Sequence, residues 1–117
     1  MRRYIEFTLD VKPFQAVQLI MDDKDLKSAL IFEDYKVAGE DEKEISILVF
    51  EKFFLRTGNT ATLTVIVDNF NGVTIVKCIS AGNGDGILDT DWGAGKNFIK
   101  PVRKKLESHI IEITEET

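Results

Sequence analysis

The stretch from Ser28 to Ser80 constrains this chain most. It reads as four β-strands separated by turn signals, and an amphipathic helix follows from Asn97 to Ile113. A strand ladder followed by one long helix makes a sheet with a helix laid across it. That helix either fills the interior or leaves a pocket between itself and the sheet.

The alternation is clear in most strands. In Tyr4 to Leu9 it puts Ile5, Phe7 and Leu9 on one side and Tyr4, Glu6 and Thr8 on the other. Pro13 then opens a helix, at the position where a missing N–H costs nothing, with Phe14, Val17, Leu19, Ile20 and Met21 facing inward. Ala29 to Val37 forms the second strand, and Glu44 to Leu55 the third. Ile45, Ile47, Val49, Phe53 and Leu55 lie on one face of the third strand, interrupted by Glu51. Ser46, Leu48, Phe50, Lys52 and Phe54 lie on the other. Both faces are largely apolar, so this strand is expected to be central and covered on both sides. Thr60 to Asp68 sets Leu63, Val65 and Val67 against threonines and Ile66. Asn71-Gly72 signals a type I′ hairpin turn, and Val73 to Ser80 returns with Cys78 as a small buried hydrophobe. After a glycine-rich loop over residues 80–95, Asn97 is placed as the N-cap of the last helix, with Pro101 in its first turn. Phe98, Val102, Leu106, Ile110 and Ile113 form its stripe.

Length and composition narrow the class. The 117 residues make one domain with room for a hydrophobic core. With 44% apolar and 30% charged residues, the chain has the make-up of a globular protein. Twenty acidic against 15 basic residues leave a net charge of −5, which opposes the phosphate contacts that drive nucleic-acid binding. The acidic groups crowd at Glu40, Asp41, Glu42 and Glu44 and again at the tail, as solvated surface does. No run is long enough to span a bilayer. A lone Cys78 allows no internal disulfide. These features lead to an expectation of a cytoplasmic protein without membrane or nucleic-acid partners.

The candidate chemistry is sparse. Asn83, Asp85 and Asp89 around Gly86 match the middle of a calcium loop, but Ala81 and Trp92 fall where its outer oxygen ligands belong. Neither phosphate-loop glycine pattern is present, and Asp85, Asp89 and Asp91 would repel an anion. No cofactor and no complete metal site is therefore expected. His109 is the single histidine, at the edge of the apolar stripe, with no second histidine or cysteine near it in sequence. Glu51 interrupts the apolar face of a strand read as central, so it is paired, protonated, exposed at the sheet's end, or a pocket acid. Trp92 either seals one end of the core or lines a pocket mouth.

Three stretches carry a family likeness. They are Val49-Phe50-Glu51-Lys52 leading into Arg56-Thr57-Gly58-Asn59, then Ser80-Ala81-Gly82, then Asp91-Trp92-Gly93-Ala94 with Phe98. Their order and spacing resemble a family of small, single-domain bacterial proteins of unknown function, over roughly residues 49–106. The resemblance implies one α+β domain and brings no active site with it.

The expectation is thus an α+β fold: a mostly antiparallel sheet of about five strands in the order β-α-β-β-β-β-α, with the C-terminal helix on one face. It amounts to a reduced helix-grip arrangement. The alternative is a flatter sheet with both helices on one side. Function is expected to be non-enzymatic binding of a small apolar or amphipathic ligand between sheet and terminal helix, with Glu51, Phe53, Trp92, Phe98, Val102, Leu106 and His109 as its lining. A second reading is a homodimeric module that buries the second sheet face. A third is an enzyme using Glu51, Asp91 or His109.

Overall fold

A computed structural model describes residues 2–55, 58–82 and 94–117. It is α+β. The strands are β1 (Arg2–Leu9), β2 (Leu30–Ala38), β3 (Lys43–Phe54), β4 (Asn59–Asp68), β5 (Thr74–Gly82) and β6 (Ile110–Glu116). The helices are α1 (Pro13–Met21), α2 (Lys24–Ala29) and α3 (Ala94–Leu106). The six strands form one sheet in the order β2-β3-β4-β5-β1-β6, and every neighbouring pair is antiparallel.

Alternation decides which side chains go inward. Along β4 and β5 every second residue is buried, and the fully buried set includes Leu63, Val65, Val67, Val76 and Cys78. On β1 the inward residues are Ile5, Phe7 and Leu9. Phe98, Val102 and Leu106 of α3 close over this floor and are almost fully buried. The helix lies mainly across β5, with β1 and β4 to either side. Helix α1 adds Ala16 and Ile20 to the same core and packs on α3 and β3. Each fully buried Val, Leu, Ile or Phe among them contributes roughly 1.5–3 kcal/mol by leaving water. The helices of the described residues therefore sit on one face of the sheet.

Several local expectations are corrected. The last helix ends at Leu106, a 3-10 turn covers Glu107–His109, and residues 110–116 form β6 on the outer side of β1. The regular spacing of Ile110 and Ile113 after Leu106 imitated a helix. However, Ile110, Ile111, Ile113 and Thr114 are β-branched and lose side-chain freedom in a helix, whereas a strand accepts them. The sheet consequently has six strands rather than five. The same helix is already formed at Ala94, so Asn97 is not its cap and Pro101 lies inside it.

Helix α2 follows α1 after two residues. Asp23 caps it, its carboxylate accepting the Leu26 N–H at 2.9 Å. In the β4–β5 turn, Gly72 alone has a positive φ, at +90°, while Asn71 does not. The Gly72 N–H bonds the Asn69 carbonyl at 3.0 Å, so a left-handed glycine closes a turn over Asn69–Gly72 in place of the paired positive angles of type I′.

Candidate functional site

Among the described residues, no helix covers the other sheet face. Register identifies what it carries, because residues directly opposite each other share a face. One row across the sheet is Phe32, Val49, Thr64, Ile79 and Tyr4. The next is Asp34, Ile47, Ile66, Lys77, Glu6 and Glu115. A third is Lys36, Ile45, Asp68, Ile75, Thr8 and Glu112. The centre of the face is aliphatic and its borders are charged. Ile45, Ile47 and Val49 are only partly shielded, and Phe32 and Phe53 stand 53% and 55% exposed. The expectation that β3 is covered on both sides is therefore corrected: its Ser46, Leu48 and Phe50 face is buried, and the opposite face meets solvent.

At one border, Glu6 is held by its neighbours. The Tyr4 hydroxyl donates to it at 2.7 Å and the Thr114 hydroxyl at 3.0 Å. Those two bonds, Tyr4's first, with the charge of Lys77, hold the Glu6 carboxyl below its ordinary range against a small opposing cost of burial. The Tyr4 phenol moves the other way, raised by burial and then by the adjacent Glu6. At another border, Glu51, Thr60, Thr62, Ala81 and Gly82 line an open depression of about 510 Å³.

The structure divides the residues singled out from sequence. Glu51 and Phe53 lie on the uncovered face, opposite Thr62 and Thr60. Phe98, Val102 and Leu106 lie beyond the sheet, in the core under α3. The sheet separates the two sets, so they do not line one pocket. His109 sits at the turn after α3, its Nδ1 2.9 Å from Asp10 Oδ1, and its carbonyl accepts the Asp10 N–H at 3.0 Å. With Val11, Gln15, Gln18, Leu19 and Asp22 it borders a shallow groove of about 410 Å³. Trp92, Asp91 and the calcium candidates Asn83, Asp85 and Asp89 lie outside the described residues. Cys78 is fully buried, and burial pushes its thiol up to about 12.

Sequence reasoning passed over three polar positions on the helix face. Glu44, read as part of a solvated acidic run, is 8% exposed and accepts the Phe14 N–H at 3.0 Å. The signal was its register, two residues before Ser46 on the inward side of β3. Arg3 and Ser80 oppose each other on β1 and β5. Arg3 Nε and Ser80 Oγ are buried and have no hydrogen-bond partner among the described residues.

The family of unknown function DUF6054 matches residues 5–110. The chain belongs to it. This DUF6054 member matches no curated protein. Membership supports the uncharacterised-family resemblance and extends it into the N-terminal half, over β1, α1, α2 and β2. Among the described residues of this DUF6054 protein, no helix is long and apolar enough to cross a membrane.

Proposed function

We propose that the protein is a non-enzymatic interaction module that associates with a second copy of itself through the uncovered sheet face. One observation carries this reading: Ile45, Ile47 and Val49 lie beside Ile66, Ile75 and Ile79 on a face that no helix among the described residues covers, flanked by the exposed rings of Phe32 and Phe53. A sheet with one wet face ordinarily alternates between apolar and polar. The outward side of β4 does so through its threonines, whereas that of β3 does not.

The dimensions suit a partner of the same kind. Six strands about 4.8 Å apart, each about eight residues long at about 3.3 Å per residue, give a face of roughly 25 Å on each side. Its area is of the order of the ~800 Å² per partner of a standard interface. A two-fold axis in the plane of contact would bury the same patch on both copies.

Size-exclusion chromatography with light scattering over a range of concentrations tests the proposal. The expected mass exceeds one chain, and Ile47→Asp lowers it while the thermal transition stays cooperative. A wild-type protein that remains a single chain at high concentration overturns the reading.

Arg3 Nε and Ser80 Oγ, buried without a partner among the described residues, favour a second reading, a small amphipathic ligand held between sheet and α3. An acidic head group would satisfy both atoms, since each can donate a hydrogen bond. Native mass spectrometry with a medium-chain fatty acid as probe tests it. Retention that disappears in Arg3→Gln supports the ligand, and no retention by the wild type ends the idea.

A further inference from the structure

The two edges of the sheet differ in how they deal with unpaired backbone. A free edge strand offers a row of N–H and C=O groups to any other strand, and proteins blunt such edges with charge and irregularity. The β6 edge is blunted in this way. Its seven residues include Glu112, Glu115 and Glu116, and two register irregularities interrupt its pairing with β1. The β2 edge is not. It runs for nine residues and exposes Ile31, Phe32, Tyr35 and Val37. Among the described residues, no segment pairs with its outer side.

We propose that β2 pairs antiparallel with β2 of a second copy, across a two-fold axis normal to the sheet at Tyr35, and so joins two six-stranded sheets into one. This contact is separate from the face contact proposed above.

The strand's own charges select the register. An axis normal to the sheet keeps the helix faces on one side, so each residue must oppose a residue of its own face. An axis at Glu33, Asp34 or Lys36 sets that charged side chain against its own copy, and like charges directly opposite are destabilising. An axis at Tyr35 sets Asp34 against Lys36 of the second copy, and Lys36 against its Asp34. Within one chain these two side chains already meet at 3.3 Å, so pairing would build a closed four-charge group. In the same register Tyr35 opposes Tyr35, and the ladder extends from Phe32 to Ala38. Axes nearer the strand ends shorten it.

Cross-linking and charge exchange test the pairing. Directly opposite Cα atoms in an antiparallel pair lie about 4.5–5.5 Å apart, within the span of about 4.4–6.8 Å that a disulfide bridges. Under mild oxidation with diamide, Tyr35→Cys is expected to give a covalent dimer. Val37→Cys is not, because its two copies would lie roughly four residues, or ~13 Å, apart along the ladder. The native Cys78 is fully buried and should not contribute.

Asp34→Lys and Lys36→Asp should each halve the assembly mass, and the double exchange D34K/K36D should restore it. Both positions are solvent-facing, so these variants should keep the wild-type thermal transition. In an Ile66→Asp background, which changes the same face on β4, two strands away from β2, the edge pair should persist as a two-chain species, which separates failure of this contact from failure of the face contact. Absence of cross-linking at Tyr35→Cys, equal cross-linking at Val37→Cys, or an assembly mass indifferent to Asp34→Lys overturns the proposal. A strand of another protein on this edge would leave that result behind.

Discussion

The Glu44 carboxylate accepts the backbone N–H of Phe14 at 3.0 Å across a sequence separation of 30 residues. Phe14 is the second residue of α1, where N–H groups have no partner within the helix. Glu44 thus does from the sheet what a local cap does elsewhere, since Lys12 makes no side-chain cap bond. Its own N–H is taken by Asn69 Oδ1 at 2.8 Å, and its carbonyl accepts the Asn69 N–H at 3.3 Å. Through its carboxylate and its backbone, Glu44 therefore ties α1, β3 and the β4–β5 turn together. Tyr35 also leans on it: burial first, then the Glu44 charge and hydrogen bond, raises that phenol above its ordinary range.

Replacing Glu44 should consequently cost stability. Glu44→Ala removes a charged acceptor at a helix N-terminus and leaves the Phe14 N–H without it, a loss of about 1–2 kcal/mol. Urea unfolding followed by circular dichroism reads this directly. Glu44→Gln should recover part of the loss, because its amide oxygen still accepts.

Glu6 predicts a pH dependence with a definite sign. Its folded carboxyl titrates below the unfolded value, held there chiefly by the Tyr4 hydroxyl and next by Thr114. Such a group adds stability that is fully present above the unfolded carboxyl pKa and is lost as pH falls through the lower folded value. Melting temperature measured from pH 7 down to pH 3 should fall less steeply at the acid end in Glu6→Gln than in the wild type. Parallel curves would remove Glu6 from the account.

The β4–β5 turn separates two residues that the sequence treats alike. Gly72 has φ +90°, and an added Cβ there would meet nothing within 4 Å, so Gly72→Ala suffers from backbone conformation alone. It should cost about 1 kcal/mol. Asn71→Ala should be nearly neutral, because Asn71 is not held at positive φ. Equal costs for the two would contradict the turn geometry.

Leu106 and Phe53 should respond oppositely to truncation. Leu106 is fully buried beneath α3, and Leu106→Ala should lose about 2–5 kcal/mol. Phe53 stands in solvent, and Phe53→Ala should leave unfolding within about 0.5 kcal/mol of the wild type while weakening self-association. The thiol of Cys78 offers an independent probe of the same core: dithionitrobenzoate should label it only at urea concentrations that unfold the chain.

Much of this architecture was legible because alternation is a local signal. Strands β1, β3, β4 and β5 follow the side-to-side pattern of their residues within one or two positions, and Pro13 marks the start of α1. What was not legible depends on neighbours. Ile110 and Ile113 continue a helical spacing, and only the free side of β1 makes a strand the better partner for them. Glu51 and Phe53 were grouped with Phe98 and Leu106 because apolar character does not say on which side of a sheet a residue falls. Glu44 reads as one more acid in a charged loop until the helix it caps is set against it.

The position of β1 between β5 and β6 has a consequence for how the chain assembles. Strand β1 is made well before its partner, which follows about seventy residues later, where Ile5 meets Cys78. Closing that span carries an entropic barrier of the order of 4 kcal/mol. Until β5 has emerged, Ile5, Phe7 and Leu9 have no strand to shelter them. The meander β2–β5 can form while synthesis continues, but a half-made chain stays adhesive at β1. Growing chains of this kind should depend on holding chaperones more than their modest size suggests.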